Sequence, residues 1–398
     1  MSRLRVLITT YDLSLRGGAQ MHARDLAVGL LERGHTPIVY CTQLGDVASE
    51  MRDRTVMVTD DLNTVTVAPD IIHGNHHLEA VTALLHFPEV PAIQTIHGNL
   101  GFLAAAPRFS RILRYLPVDY TCCDRLIYEY GISEERIRVI LNSVDLKRFT
   151  PRSPLPARPK RALVFSNYTG SHLKAVREGC ARAGLSLDVT GVDTKVSEEP
   201  EKILGKYDIV FAKARCALEA MAVGAAVILC DYQGLGRMVT SNELESLRAM
   251  NFGHRTLRNE INAELVAAEI ARYDALDAAE VSKRIRATAG LDRMVDETIR
   301  EYHEVLAEYR AAAKPDIETE GREAASYLRW LSTQIYNPSG RASLKTIISR
   351  IPVLNSRQVS DLILSLATKV AWSRKRRKTV RAKGRKNLTG DERVPLRK

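Results

Sequence analysis

The stretch Tyr11-Asp-Leu-Ser-Leu-Arg-Gly17-Gly18-Ala-Gln20, together with Glu32-Arg33-Gly34-His35 a few turns later, decides how this chain folds. Just before it, Arg5 to Thr10 is β-branched and alternating enough to be a strand. Gly17-Gly18 makes a loop without side chains directly ahead of a helix that starts near Ala19, and backbone amides in such a loop can close on an anion. Ala23, Leu26, Ala27, Leu30 and Leu31 form a stripe on one helical face, with Gly34 behind them as a C′ residue. A second strand, Thr36 to Thr42, completes a βαβ unit whose helix N-terminus faces the ligand edge of the sheet. A tight turn that needs glycine for packing would explain the same residues, so both readings of Gly17 and Gly18 stand at this point.

The alternation continues outward from this unit. Strand-like segments at Asp70 to Asn75, Ala92 to His97 and Arg138 to Asn142 alternate with helical ones, which implies a parallel sheet covered by helices on both faces. Between Pro151 and Pro159 four prolines in nine residues mark a semi-rigid linker. Strands then resume at Arg161 to Tyr168, Leu185 to Gly191, Tyr207 to Lys213 and Ala225 to Asp231, and residues 263 to 313 are helical. The expected architecture is α/β: two Rossmann-like parallel-sheet domains facing a cleft, 1–152 and 160–312, followed by a helical extension with a basic tail, 313–398. Ligands of such folds sit in the cleft between the sheet edges.

Bulk properties narrow the classes. With 398 residues the chain is long enough for two or three cores. Its six cysteines lack Cys-x-x-Cys spacing and read as reduced core residues of a cytoplasmic protein. No signal peptide is evident, and the longest charge-free apolar run, Ala220 to Cys230, is far too short to span a bilayer. Residues 371–398 carry twelve Lys or Arg against Asp391 and Glu392, a net +10 of the chain's +11, so the body is close to neutral and specific nucleic-acid binding by it is not expected.

The second informative stretch is Lys213-Ala-Arg215-Cys-Ala-Leu-Glu219-Ala-Met-Ala-Val-Gly224. Unless Glu219 faces solvent, a carboxylate among these apolar residues requires partners, and ribose hydroxyls would serve. Lys213 and Arg215 stand at a helix start, where the backbone dipole disfavours cations. A bound diphosphate would reverse the sign of that interaction, which makes the pair a candidate phosphate clamp; an exposed pair with no role is the alternative.

Five segments in order now carry a resemblance: Gly17-Gly18 with Arg33-Gly34-His35; Pro69-Asp70-Ile71-Ile72-His73; Thr95-Ile96-His97-Gly98; Ile137 to Pro151, containing Asn142 and Asp145; and Leu218-Glu219-Ala-Met-Ala-Val-Gly224. Over about residues 1 to 312 the chain resembles retaining glycosyltransferases of family four, with the GT-B architecture. The resemblance implies transfer of a hexosyl group from a nucleotide-sugar donor, with retention, to a glycan or lipid-linked acceptor. It implies no cofactor and no metal. Carried over position by position, it places Gly17 and Gly18 over the donor's diphosphate and sugar, His97 near the sugar as the catalytic candidate, and Glu219 on the ribose. The chain also departs from the family. Eight positions before Glu219 stands Phe211 where a glutamate is common, and the strand ending Phe165-Ser-Asn-Tyr lacks the usual Gly-Arg, with Lys174 as a stand-in for the downstream lysine. Two further readings therefore stay open: a nucleotide-sugar epimerase of the same architecture, and a catalytically degenerate sugar-nucleotide-binding protein.

The run His73-Gly-Asn-His76-His77 invites a metal test, but only Glu79 is near in sequence, and cleft lining is the better expectation. In the tail, the stripe Val359, Leu362, Ile363, Leu366 and Val370, then Trp372 and a polybasic run, has the order of an interfacial helix on an anionic membrane surface. A helix packed on the body followed by a solvated tail is the competing reading.

Overall fold

The computed structural model describes residues 2–14, 16–98, 101–166, 170, 172–190 and 199–336. The candidate tail helix and the polybasic run lie outside the described residues. The chain falls into two compact units, Met1–Glu323 and Ala324–Lys398. The described part of the second, 324–336, is helical.

Unit one carries two sheets. The strands of the first are β1 (Arg5–Asp12), β2 (Thr36–Gln43), β3 (Met57–Thr59), β4 (Ile71–Gly74), β5 (Ala92–Ile96) and β6 (Ile112–Pro117), all parallel in the order β3-β2-β1-β4-β5-β6. The second sheet holds β7 (Arg161–Phe165), β8 (Ser186–Thr190), β9 (Ile209–Ala212), β10 (Ala226–Asp231) and β11 (Gly234–Met238) in the order β11-β10-β9-β7-β8, with β10 and β11 antiparallel. The helices are α1 (Gly18–Glu32), α2 (Asp46–Asp53), α3 (His77–His86), α4 (Tyr120–Tyr128), α5 (His172–Arg182), α6 (Pro200–Leu204), α7 (Ala214–Val223), α8 (Leu244–Ala249), α9 (Ala263–Ile270), α10 (Ala275–Thr288), α11 (Leu291–Ala311) and α12 (Ile317–Tyr336).

Strands β1 and β10 are buried on both faces, as continuous apolar runs in parallel sheets should be: Val6, Leu7 and Ile8 in β1 and Val227, Ile228 and Leu229 in β10 are sealed from solvent. The α1 stripe Ala23, Leu26, Ala27 and Leu30 enters the first core. Gly34 stops that helix in the left-handed region at φ 80°, its N–H donating to Leu31 O, and Gly224 stops α7 likewise at φ 100°.

Two sequence expectations change. Arg138 to Asn142 forms no strand; the sixth strand is β6, which the later segment meets through a bridge between Tyr115 and Ile137 and through the bonds from Arg138 N to Tyr115 O and Ile140 N to Pro117 O. The chain also does not switch cores at the proline-rich stretch. Val144 and Phe149 already pack in the second core, and the return is at Gly290, where Val144 N donates to Ala289 O and Leu291 N to Val144 O. Helix α11 then packs on the first sheet, with Met294, Val295, Ile299, Tyr302, Val305 and Leu306 in its core. The two sheets are thus crossed twice by the chain, side by side.

In each sheet the strand order reverses direction once, between β1 and β4 and between β7 and β9. Crevices at the carboxyl ends of such strand pairs are where α/β folds bind ligands. The carboxyl ends of β1, β4 and β9 lead into α1, Asn75-His76 and the α7 head.

Candidate functional site

Helix α1 begins with Gly17 as its N-cap, and no side chain caps it. A Cβ on Gly17 would meet Gln20 Oε1, whereas one on Gly18 would enter open space. The side chain of Gln20 thus folds over Gly17 at the start of α1, while Gly18 stays open. Further along, α1 buries a polar row, Gln20, His22, Arg24 and Asp25, which is unusual for a helix lying on a sheet.

His97 follows β5. Its Nε2 lies 2.7 Å from Asn75 Oδ1, while Asn75 Nδ2 donates to Thr9 O at 3.1 Å. Because Thr9 O must receive the amide N–H, Asn75 presents its oxygen to His97, so Nε2 carries the proton and Nδ1 is the acceptor nitrogen. The His97 ring also stands edge-on to His22 at 4.8 Å between centroids. Burial, then His22, His76 and Arg215, hold the His97 pKa well below the usual imidazole value. A neutral imidazole is the result. A pocket of about 160 Å³ opens beside it, lined by Asn75, His76, Gln94, Thr95, His97 and Gly98 among others.

The three histidines of the 73–77 run point in three directions. His73 lies in the core between Tyr302 OH at 2.6 Å and Thr95 Oγ1 at 2.7 Å, His76 meets Thr10 Oγ1 at 3.2 Å, and His77 packs against Phe102. Among the described residues no group of three or more His, Cys, Asp or Glu side chains could hold a metal ion.

At the second sheet, α7 begins in a strained corner. Ala214, Asn251 and Phe252 all have positive φ, and Ala214 N donates to Phe252 O at 3.0 Å. These are three of the five non-glycine residues with positive φ among the described residues, and such strain collects at binding sites. Met250 and Gly253 lie beside α4, where Thr121 Oγ1 meets Met250 Sδ at 3.6 Å and Arg255 pairs with Asp124.

Lys213 is the N-cap of α7 and pairs with buried Asp231 and with Gln233 Oε1 at 2.8 Å. Arg215 Nε donates to Glu219 Oε1 at 2.9 Å, and Arg215 Nη2 donates to Asp25 Oδ2 at 2.5 Å. This corrects the electrostatic reading of the sequence: the two cations are not left against the helix dipole uncompensated, since carboxylates from β10, α7 and α1 neutralise them. Glu219 is buried as expected, and its partner here is Arg215. Burial pushes the Glu219 pKa up and Arg215 pulls it back. The charge of Arg215 also reaches His22 and His97, lowering both.

Of the six residues singled out in the sequence, His97, Arg215 and Glu219 converge, with α1 between them. Lys213 stands at the same helix head, and Gly17 and Gly18 form the start of α1. Asp25 and Asn75 were missed. The dipeptide Arg24-Asp25 inside the apolar stripe is the one local signal for Asp25, and Asn75 stands among histidines that draw attention from it.

Residues 16–148 match the family model described as Glycosyltransferase Family 4. Among solved structures, a glycosyltransferase from Rickettsia africae ESF-5 is similar over 77% of this chain and 99% of its own, at 16% identity and a TM-score of 0.56. WaaG, a glycosyltransferase involved in lipopolysaccharide biosynthesis, covers 74% and 98% at 12% identity and 0.47, and MurG from Acinetobacter baumannii 76% and 99% at 10% and 0.45. No curated protein matches the chain. The fold is therefore that of the GT-B glycosyltransferases. The resemblance to family 4 glycosyltransferases expected from the sequence is supported over residues 16–148.

Proposed function

We propose that this chain transfers a hexose from a nucleotide-sugar donor, with retention at the anomeric carbon, to a glycan or lipid-linked acceptor. The observation that supports the reading most is the convergence of His97, at the carboxyl edge of the first sheet, with Arg215 and Glu219 at the head of α7 on the second. In this reading the amides at Gly17 and Gly18, with Lys213 and Arg215, take the donor diphosphate. Their N–H donors stabilise the charge that grows on the diphosphate as the sugar departs. Glu219 accepts from the ribose through Oε2 while Oε1 keeps its bond from Arg215 Nε. Neutral His97 offers Nδ1 to a sugar hydroxyl, so it orients the sugar without adding charge. Among the described residues no helix is long and apolar enough to cross a membrane, and access to a lipid-linked acceptor is assigned to the polybasic tail.

A thermal-shift panel of UDP-, GDP- and ADP-sugars, followed by turnover with the donor that binds, tests the reading. A ligand that binds the native state alone raises the midpoint by mass action. A shift by one nucleotide class and sugar transfer from it support the reading; no shift with any of them removes it.

A further inference from the structure

We infer that Asp25 is a positioning residue for the reaction: from α1 on the first sheet it holds Arg215 at the head of α7 on the second, so that docking of the two sheets and presentation of a cation to the donor depend on one carboxylate. The inference rests on the reading of Arg215 as a donor-phosphate ligand.

Asp25 is almost fully buried, and each of its oxygens meets a different arginine: Oδ1 receives Arg24 Nη1 at 2.7 Å and Oδ2 receives Arg215 Nη2 at 2.5 Å. Arg24 is itself paired with Glu50 of α2, and Glu50 also holds Arg16 at 3.0 Å. The result is a relay of alternating sign, Arg16, Glu50, Arg24, Asp25, Arg215 and Glu219, that starts beside the Gly17 loop and ends in α7. A carboxylate this deep is tolerated only with cations on both oxygens, so Asp25 is committed to Arg215 as firmly as to its neighbour. On Arg215, the bonds to Asp25 and Glu219 use Nη2 and Nε. A guanidinium has five N–H donors in one plane, so two carboxylates fix that plane and leave Nη1 for a phosphate oxygen. Asp25 thus orients the cation without competing for all of it.

The test uses the full chain as wild type, Asp25→Asn, Arg215→Ala and the double variant, with two readouts. In the first, UDP, GDP and ADP are titrated by calorimetry. For the one that binds, Asp25→Asn is expected to weaken binding roughly tenfold, and the double variant to bind no more weakly than Arg215→Ala alone, because both act through one contact. Wild-type affinity in Asp25→Asn, or losses that multiply in the double variant, would overturn the inference. The second readout is amide hydrogen exchange without nucleotide. Asp25→Asn is expected to raise exchange across 214–218 and Arg215→Ala across 20–27, each change appearing in the opposite helix while the two sheets stay protected. Exchange altered only in the helix that carries the substitution would overturn the docking role. If none of the three nucleotides binds wild type, the donor reading fails, and the exchange result still decides whether Asp25 docks α7.

Discussion

Arg215 on α7 reaches Asp25 on α1, 190 positions away in the chain, at 2.5 Å, with the Asp25 side chain buried and that of Arg215 only 15% exposed. An ion pair there is costly to break from one side, because the remaining carboxylates stay in a dry environment. Arg215→Ala leaves Asp25 and Glu219 without their shared cation and is expected to destabilise the fold by about 3–5 kcal/mol. Glu219→Gln keeps the shape and removes one charge, so it is expected to cost less stability while weakening donor binding. Urea denaturation and donor titration of both variants check this. Equal stability of Arg215→Ala and wild type would contradict it.

Asn75 sets the tautomer of His97. Asn75→Asp places a carboxylate against Nε2, which favours the imidazolium and lifts the His97 pKa from its depressed position. The expected outcome is a new titration in the pH–rate profile of the variant, toward neutral pH, with lower turnover below it. A profile that matches wild type in shape would show that His97 takes no part in the rate-determining chemistry.

Acid should unfold the protein through its buried histidines. Burial is the main cause that lowers His22, His73 and His76 from 6.5 to about 3. Each therefore binds a proton in the unfolded chain near pH 6.5 but in the folded one only near 3. As pH falls through that window, each removes about 1.4 kcal/mol of stability per pH unit. Glu79, pushed up to about 7 by burial, acts in the opposite sense. Its folded form takes the proton first, so stability rises as pH falls from about 7 to 4.5, which offsets one histidine. The net expectation is a urea midpoint that drops steadily from pH 6.5 to pH 4.5. A flat or rising midpoint over that interval would contradict the burial of these rings.

Deletion of residues 373–398 is expected to reduce binding to vesicles containing anionic lipid at low salt, and to leave the weak binding to neutral vesicles unchanged. Each Lys or Arg near such a surface contributes about 1 kcal/mol. Co-sedimentation of the full and shortened chains measures it. Equal partitioning would assign the tail another role.

Much of the scaffold was legible because parallel strands buried on both faces leave apolar runs of recognisable length, and because Gly34 and Gly224 mark helix ends that need a positive φ. What stayed hidden depended on distant partners. Strand β6 carries Arg114 in its middle, which reads as a loop until Glu301 and Glu308 of α11 arrive to pair with it. Strand β11 contains Gly234 and Gly236, which look like turn residues; there they admit the backbone oxygens of Leu257 and Thr256. In the site, residue types flagged His97, Arg215 and Glu219, but the bond that joins them across the sheets needs Asp25, whose meaning no local pattern carries.

The most direct measurement is a crystal structure of the chain with the nucleotide sugar that gives the largest thermal shift. The account predicts the diphosphate within hydrogen-bond distance of Arg215 and the amides at Gly17 and Gly18, the ribose on Glu219 and the sugar beside His97. A nucleotide seated away from the α7 head, with Arg215 still bonded to both Asp25 and Glu219 and no ligand contact, would contradict it.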